Sequence, residues 1–228
     1  RGASGSGAAR ASRDCQLAQP LGAGPTATQI LGDLGADVIK IETPQGDWSR
    51  RLGVSAADQS PFSTYYNRGK RSLALDLKQP AHHAAFLRMV EQADVVVESF
   101  RPGVMAKLGL GYDVLKGFNE KIIEVRMPGF GLDGPWRDRV GFAMTMEQHA
   151  GLAWITGYPD GLPTAPRGAC DPLAGVHAAF LTVAALEHRG RTGLGQLVEV
   201  PMIDVVLNAS ALQVIERDVA GITLTRRG

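Results

Sequence analysis

The chain has 228 residues, enough to bury a good core as one large domain or two small ones. Its 24 Lys and Arg against 23 Asp and Glu leave a net charge of +1, which argues against a dedicated nucleic-acid surface while leaving room for a local basic pocket. Cys15 and Cys170 stand far apart in no metal-ligand spacing, so neither a disulfide scaffold nor a zinc site is indicated, and no apolar run approaches the roughly 20 residues that cross a bilayer. With no apolar signal core at the start, the default expectation is a reducing cytoplasm, no membrane and no export.

Residues 1–13 are Gly, Ala, Ser and Arg with almost nothing to bury, and read as a disordered or non-native N-terminus. The stretch 14–20 reads poorly as a strand. From Thr26, the residues Ala27, Ile30, Leu31 and Leu34 fall at helical spacing, with Gly35 as a left-handed stop. Val38-Ile-Lys-Ile41 predicts a short buried strand, and 44–61, polar and small, a long loop. Leu73, Leu75 and Leu77 alternate as a strand, followed by a helix over 81–93 and the strongly β-forming Val95-Val-Val97.

Ile122-Ile-Glu-Val125 is a further strand, and Gly129-Phe-Gly-Leu-Asp-Gly-Pro135 after it is turn chemistry throughout. Helices are predicted over 145–153 and 172–188, then a strand over 197–200 and a helix over 203–216. Strands alternating with helices predict an α/β fold, a Rossmann-like, mainly parallel sheet with helices on both faces and right-handed crossovers. The expected large domain runs over 14–216, with 217–228 beginning a linker toward a second domain.

The most informative stretch is Arg167-Gly-Ala-Cys-Asp171-Pro-Leu-Ala-Gly-Val-His-Ala-Ala-Phe180, which sets one carboxylate at the mouth of a long helix rich in small residues. Asp before Pro is first of all a helix start: the side chain caps orphan backbone N–H groups, and Pro172 sits where its missing donor costs nothing. A helix N-terminus equally favours an anion poised for chemistry, so position alone leaves cap and nucleophile both open. Gly22-Ala-Gly24 hints at a dinucleotide oxidoreductase, but the third glycine and a clean preceding strand are missing.

Taken with Gly24-Pro-Thr-Ala-Thr-Gln-Ile-Leu-Gly-Asp-Leu-Gly-Ala-Asp-Val-Ile-Lys-Ile-Glu42, Asn67-Arg-Gly-Lys-Arg-Ser72, Glu98-Ser-Phe-Arg-Pro-Gly103 and Gly193-Leu-Gly-Gln-Leu-Val-Glu-Val200, this stretch closely resembles the class III CoA-transferases, the CaiB/BaiF and formyl-CoA transferase-like family. The resemblance implies that Asp171 is the covalent nucleophile, attacking an acyl-CoA thioester and passing through aspartyl anhydride and aspartyl-CoA intermediates. An ionised carboxylate needs no base for this, whereas a Ser would. It also implies an acyl-CoA and a carboxylic acid as substrates, coenzyme A as substrate in place of any permanently bound cofactor, no metal, no nucleic acid, and an interlocked homodimer. Relatives are about twice as long, so the chain resembles a truncated member whose own activity is in question.

Coenzyme A carries a diphosphate and a 3′-phosphate, which call for cations and backbone N–H groups, and an adenine, which calls for a flat apolar surface. The resemblance places Lys70, Arg71, Ser99, Phe100, Arg101 and Lys107 there, in loops at strand ends. Gly22, Phe142 and Ala143 stand where formyl-specific members carry Gln, Tyr and Glu, which puts formyl and oxalyl transfer in doubt. Phe142 also stands where α-methylacyl-CoA racemases carry their His, and His149 is about two helical turns beyond it. Racemisation is therefore the alternative, together with a non-catalytic fragment that keeps only CoA binding. Glu147 reads as a surface residue of an amphipathic helix, His177 as a packed structural histidine, and Trp48, Trp136 and Trp154 as core or interface residues.

Overall fold

The computed structural model describes residues 13–17, 22–53 and 60–227. Six strands form one sheet: β1 (Arg13–Leu17), β2 (Asp37–Glu42), β3 (Arg71–Ala74), β4 (Val95–Glu98), β5 (Ile123–Arg126) and β6 (Gln196–Glu199). Every pairing is parallel, in the order β3-β2-β1-β4-β5-β6. The expected α/β class holds, and the order reverses between β1 and β4, where sheets of this kind leave a crevice beyond the strand carboxyl ends.

Helices α1 (Ala23–Asp33), α2 (Pro61–Asn67), α3 (Pro80–Val90), α4 (Val104–Lys107), α5 (Tyr112–Phe118), α6 (Ala143–His149), α7 (Leu152–Ile155), α8 (Cys170–Thr192), α9 (Met202–Ala209) and α10 (Ala211–Ala220) connect and cover the strands. Strand β4 shows why two layers of helix are needed. Val95 and Val97 are buried on one face with Ala27 of α1, Ala174 and Ala178 of α8 and Val205 of α9. Val96, pointing the other way by the period of two, is buried with Phe86 and Val90 of α3 and Leu115 of α5. Among the described residues no helix is long and apolar enough to cross a membrane.

Several sequence expectations need correction. Arg13–Leu17, polar enough to read poorly as a strand, is central and pairs with both β2 and β4, because backbone ladders on two sides do not depend on side-chain polarity. Arg13 therefore belongs to the sheet, and the expectation of disorder for 1–12 lies outside the described residues. The 44–61 loop contains a 3₁₀ turn, Trp48–Arg51, capped by Asp47, whose carboxylate accepts the Ser49 N–H at 2.7 Å. Pro61 does not end that loop but begins α2, at the first helical position where proline is favoured.

The alternation at Leu73, Leu75 and Leu77 outlasts its strand, since β3 stops at Ala74. The helix predicted over 145–153 is two, α6 and α7, broken at Gly151 with φ +77°. The one predicted over 203–216 is likewise α9 and α10, meeting at Ser210, and the second runs past 216 to Ala220.

Candidate active site

Asp171 does not cap its helix. Ala169 is the N-cap, so Asp171 is the second helical residue and its side chain is left for other work. The cap is supplied from another element. Glu147 of α6, which the sequence pattern put on the surface, is fully buried at 0% exposure. Its Oε1 accepts the N–H groups of Gly168 at 3.0 Å and Cys170 at 3.2 Å, and its Oε2 accepts that of Arg167 at 3.1 Å. Three donors at the start of α8 thus converge on one carboxylate.

The Asp171 carboxylate lies in the space that a side chain at residue 22 would fill. A Cβ added to Gly22, which has φ +89°, would stand 1.8 Å from Asp171 Oδ2. Only glycine permits this backbone and this approach together. Among the described residues no hydrogen bond or ion pair ends on that carboxylate. Burial, and then the negative charge of Glu147, push its pKa up to about 6. Tyr66 of α2 is raised as well, by burial and then by the Asp171 charge, which places its phenol near the site. The neighbouring Cys170 thiol is pushed up to about 12 by burial and by Asp171 and Glu147, so it stays protonated and inert.

Asp171 opens on a cleft of about 630 Å³. Ala23, Ser99, Phe100, Met127 and Gly129 line it, so it sits beyond the carboxyl ends of β1, β4 and β5, at the point where the strand order reverses. Three predicted residues, Ser99, Phe100 and Arg101, therefore share the cleft with Asp171. The loop that presents them is held by Glu98, whose carboxylate accepts the Phe100 N–H at 2.5 Å. Burial, and the nearby Glu124, push Glu98 up to about 8 against the opposing pull of that hydrogen bond.

Lys70, Arg71 and Lys107 are elsewhere. Lys70 Nζ donates to Pro25 O and to Thr28 Oγ1, each at 2.8 Å, bracing α1. It faces a separate cavity of about 270 Å³ shared with Lys40, Glu42 and Arg50, where burial and the Lys40 charge hold its pKa down to about 6. In the same cavity Glu42 stays near 2: burial would raise it, but hydrogen bonds from Arg50, Ser72 and the Asp47 N–H win. Arg71 is exposed and paired with Asp37 at the β2–β3 edge, 2.5 Å apart. Lys107 is an exposed residue closing α4.

The cations that do line the cleft are Arg101, Arg137, Arg139 and Arg167. Sequence reasoning missed the last three, although the turn-rich run after β5 marks the loop of Arg137 and Arg139 as lying at a strand carboxyl end. Arg139 stacks 4.2 Å over the Trp136 ring, which itself meets Phe130 and His149 edge-on. Trp48 lines the cleft, and of the expected core or interface placement of the tryptophans the core does not hold: they are 43%, 41% and 50% exposed in chain order. His149 Nδ1 bonds Thr145 O at 2.8 Å and His177 Nδ1 bonds Leu173 O at 2.9 Å. No histidine lines the cleft among the described residues, and Phe142 does. Nor do the described residues hold a group of three or more His, Cys, Asp or Glu placed for a metal ion.

The family model described as CoA-transferase family III matches residues 15–228. The chain is 42% identical over 202 residues to a succinate–glutarate CoA-transferase of Agrobacterium fabrum, covering 85% of this chain and 50% of that protein. It is 37% identical over 192 residues to a succinyl-CoA–L-malate CoA-transferase beta subunit of Chloroflexus aurantiacus, with 82% and 47% covered. A crystal structure of a CaiB/BaiF family protein from Brucella suis superposes with a TM-score of 0.90 at 32% identity, covering 95% of this chain and 59% of that one. The chain spans about half the length of the curated relatives it matches.

Proposed function

The chain belongs to CoA-transferase family III, and from that premise we propose that the protein moves coenzyme A from an acyl-CoA to a carboxylic acid, with Asp171 as the nucleophile. One observation carries this reading: the Asp171 carboxylate, held against Gly22, opens on the cleft at the strand carboxyl ends. A Ser or Cys there would need a general base; a carboxylate ionised above pH 6 does not.

The steps balance without any other reactant. An Asp171 oxygen bonds to the thioester carbon and CoA leaves as thiolate, giving an aspartyl–acyl anhydride. The thiolate attacks the aspartyl carbonyl, freeing the first acid as carboxylate and leaving aspartyl-CoA thioester. The acceptor carboxylate then displaces the thiolate to form a second anhydride. Attack of the thiolate on the acceptor's acyl carbon yields the new acyl-CoA and restores Asp171. Ser99, Phe100 and Arg101 are the proposed CoA contacts from the predicted set, joined by Arg137 and Arg167, whose guanidiniums suit phosphate or carboxylate oxygens. Lys70 and Arg71 are engaged away from this cleft, Lys107 is exposed at the end of α4 outside its lining, and all three are left out of the contact set.

Small dicarboxylic acids of the kind named for the relatives are the proposed acceptors, and a homodimer in the reducing cytoplasm is the proposed setting. Racemisation would require a second titratable group opposite Asp171, and the cleft lining offers Phe142 where a histidine would be needed. The test uses the full-length protein. Incubation with acyl-CoA and hydroxylamine is expected to convert Asp171 to a hydroxamate detectable by peptide mass spectrometry, and Asp171→Ala to abolish transfer while leaving CoA affinity within about tenfold. Substantial transfer by the Ala variant would overturn the assignment.

A further inference from the structure

The entry to α8 is folded around a single buried carboxylate. Arg167 is the one non-glycine residue with positive φ among the described residues, at 58°, and Gly168 follows at 113°. Such a pair of left-handed residues turns successive N–H groups inward, and here they converge on Glu147 together with the N–H of Cys170. The carboxylate is sealed from water, so its bonds to the loop are not exchanged for solvent. Asp171 is the next residue after the last of these donors.

We propose that Glu147 is a positioning residue for the reaction at Asp171: it fixes the left-handed entry loop that aims Asp171 into the cleft, and its charge opposes the charge of the Asp171 carboxylate. The second role follows from Coulomb's law between two like charges in a poorly solvated place. It appears in the upward push that Glu147 adds to burial at both Asp171 and Cys170. Repulsion of this kind is relieved when Asp171 is acylated, because the anhydride and the thioester are neutral at that oxygen. Glu147 therefore favours the covalent intermediates over the free carboxylate without touching substrate. A more basic carboxylate is also the stronger nucleophile.

Other groups around Asp171 bear on its titration and are not altered by the test. Tyr66 faces it from α2, Cys170 precedes it on α8, and Arg101, Arg137, Arg139 and Arg167 line the same cleft. Around Glu147, the α9 acid Asp204 is exposed and His149 lies on the outer side of α6, bonded to Thr145 O.

The inference rests on Asp171 being the nucleophile, so the experiment separates the two. In the full-length protein, the Asp171 carboxyl is titrated by carbon NMR, and hydroxamate formation from acyl-CoA is timed in single turnovers across pH. Wild type and Glu147→Gln are compared, with melting curves to check folding. Gln keeps the acceptor for Gly168 and Cys170 but sets an amide N–H₂ against the Arg167 N–H and removes the charge. The titration midpoint should fall toward the ordinary aspartate range, and trapping at neutral pH should slow by at least about tenfold. Glu147→Asp keeps the charge but loses reach: its midpoint should stay raised while trapping slows. An unchanged midpoint in Glu147→Gln overturns the proposal, as does wild-type trapping by Glu147→Asp should the Gln variant not fold. A wild type that titrates as expected yet forms no hydroxamate counts against the nucleophile, not against Glu147's hold on it.

Discussion

At the scale of single residues, Gly22 and Asp171 form one unit. A methyl group at residue 22 would stand 1.8 Å from Asp171 Oδ2 on a backbone with φ +89°, so Gly22→Ala must either move the Asp171 carboxylate or reshape the start of α1. Single-turnover trapping in that variant should drop by roughly a hundredfold or more, since small misplacements are costly in oriented reactions. The pKa of about 6 sets the pH behaviour of the same residue. The ionised carboxylate is present above about pH 6 and is lost as pH falls through it, so the proposed transfer should rise across pH 5–7 and then level off. Stability has the opposite sign. Because the folded pKa is raised, the folded state holds the proton more tightly than the unfolded chain, and stability declines as pH rises from the ordinary carboxylate range to about 6. Asp171→Asn should therefore melt a few degrees above wild type at pH 7.5, and the gap should close near pH 4, by calorimetry.

The same scale shows where sequence reading stops. The local Asp-Pro pattern reads as a cap, a place that Ala169 takes instead, so Asp171 was singled out by the resemblance; Ser99, Phe100 and Arg101 were legible because a loop after a β-rich run lies at a strand end. Glu147 was not, since the donors that make its burial tolerable come from residues 20 to 23 positions away. Lys70 illustrates the converse: a cation beside glycine reads as a ligand contact, but its ammonium is turned onto Pro25 O and Thr28 Oγ1.

Between elements, the α1–α8 contact decides how near Asp171 comes to Gly22. Gly175 has no room for a side chain: an added Cβ would stand 2.5 Å from Thr26 Cβ and 3.0 Å from Ala23 O. Gly175→Ala gains helix propensity worth at most about 1 kcal/mol, but overpacking should dominate, with a net loss of about 1–3 kcal/mol in denaturant titrations and slower trapping as the helices part. The sequence announced this thinness through Ala174, Ala178, Ala179, Ala184 and Ala185, though not which helix would use it. Strand β1 was the opposite case, polar in composition and yet central, because its neighbours rather than its own side chains define it.

Strand β4 ends in Glu98, raised to about 8 by burial and Glu124. The folded pKa lies above the unfolded one, so this group costs stability as pH climbs from the ordinary carboxylate range through about 8. Wild type should lose melting temperature between pH 6 and 9, and Glu98→Gln, which can still accept the Phe100 N–H, should lose less.

For the whole molecule, the parallel sheet and the crevice at its order reversal were readable from the alternation of strands and helices, since few topologies satisfy right-handed crossovers. The place of the apolar surface that the fold leaves open was not. Leu212, Val214, Ile215 and Val219 of α10 are 74%, 48%, 54% and 79% exposed. Apolar rows of this size associate in water, so the 228-residue chain alone should sediment as concentration-dependent oligomers, and Leu212→Lys with Val219→Lys should shift it toward monomer.

The position of β1 in mid-sheet has a consequence for the order in which the protein takes shape. The first strand can be paired on both sides only after β4 has been made, and Asp171 reaches Gly22 only when a segment from the far end of the chain docks on α1. Loop closure over such separations is slow, so the Asp171 carboxylate is seated among the last events of folding. Until α8 docks on α1, newly made protein would carry Asp171 out in water, without the burial that sets its acidity in the finished fold.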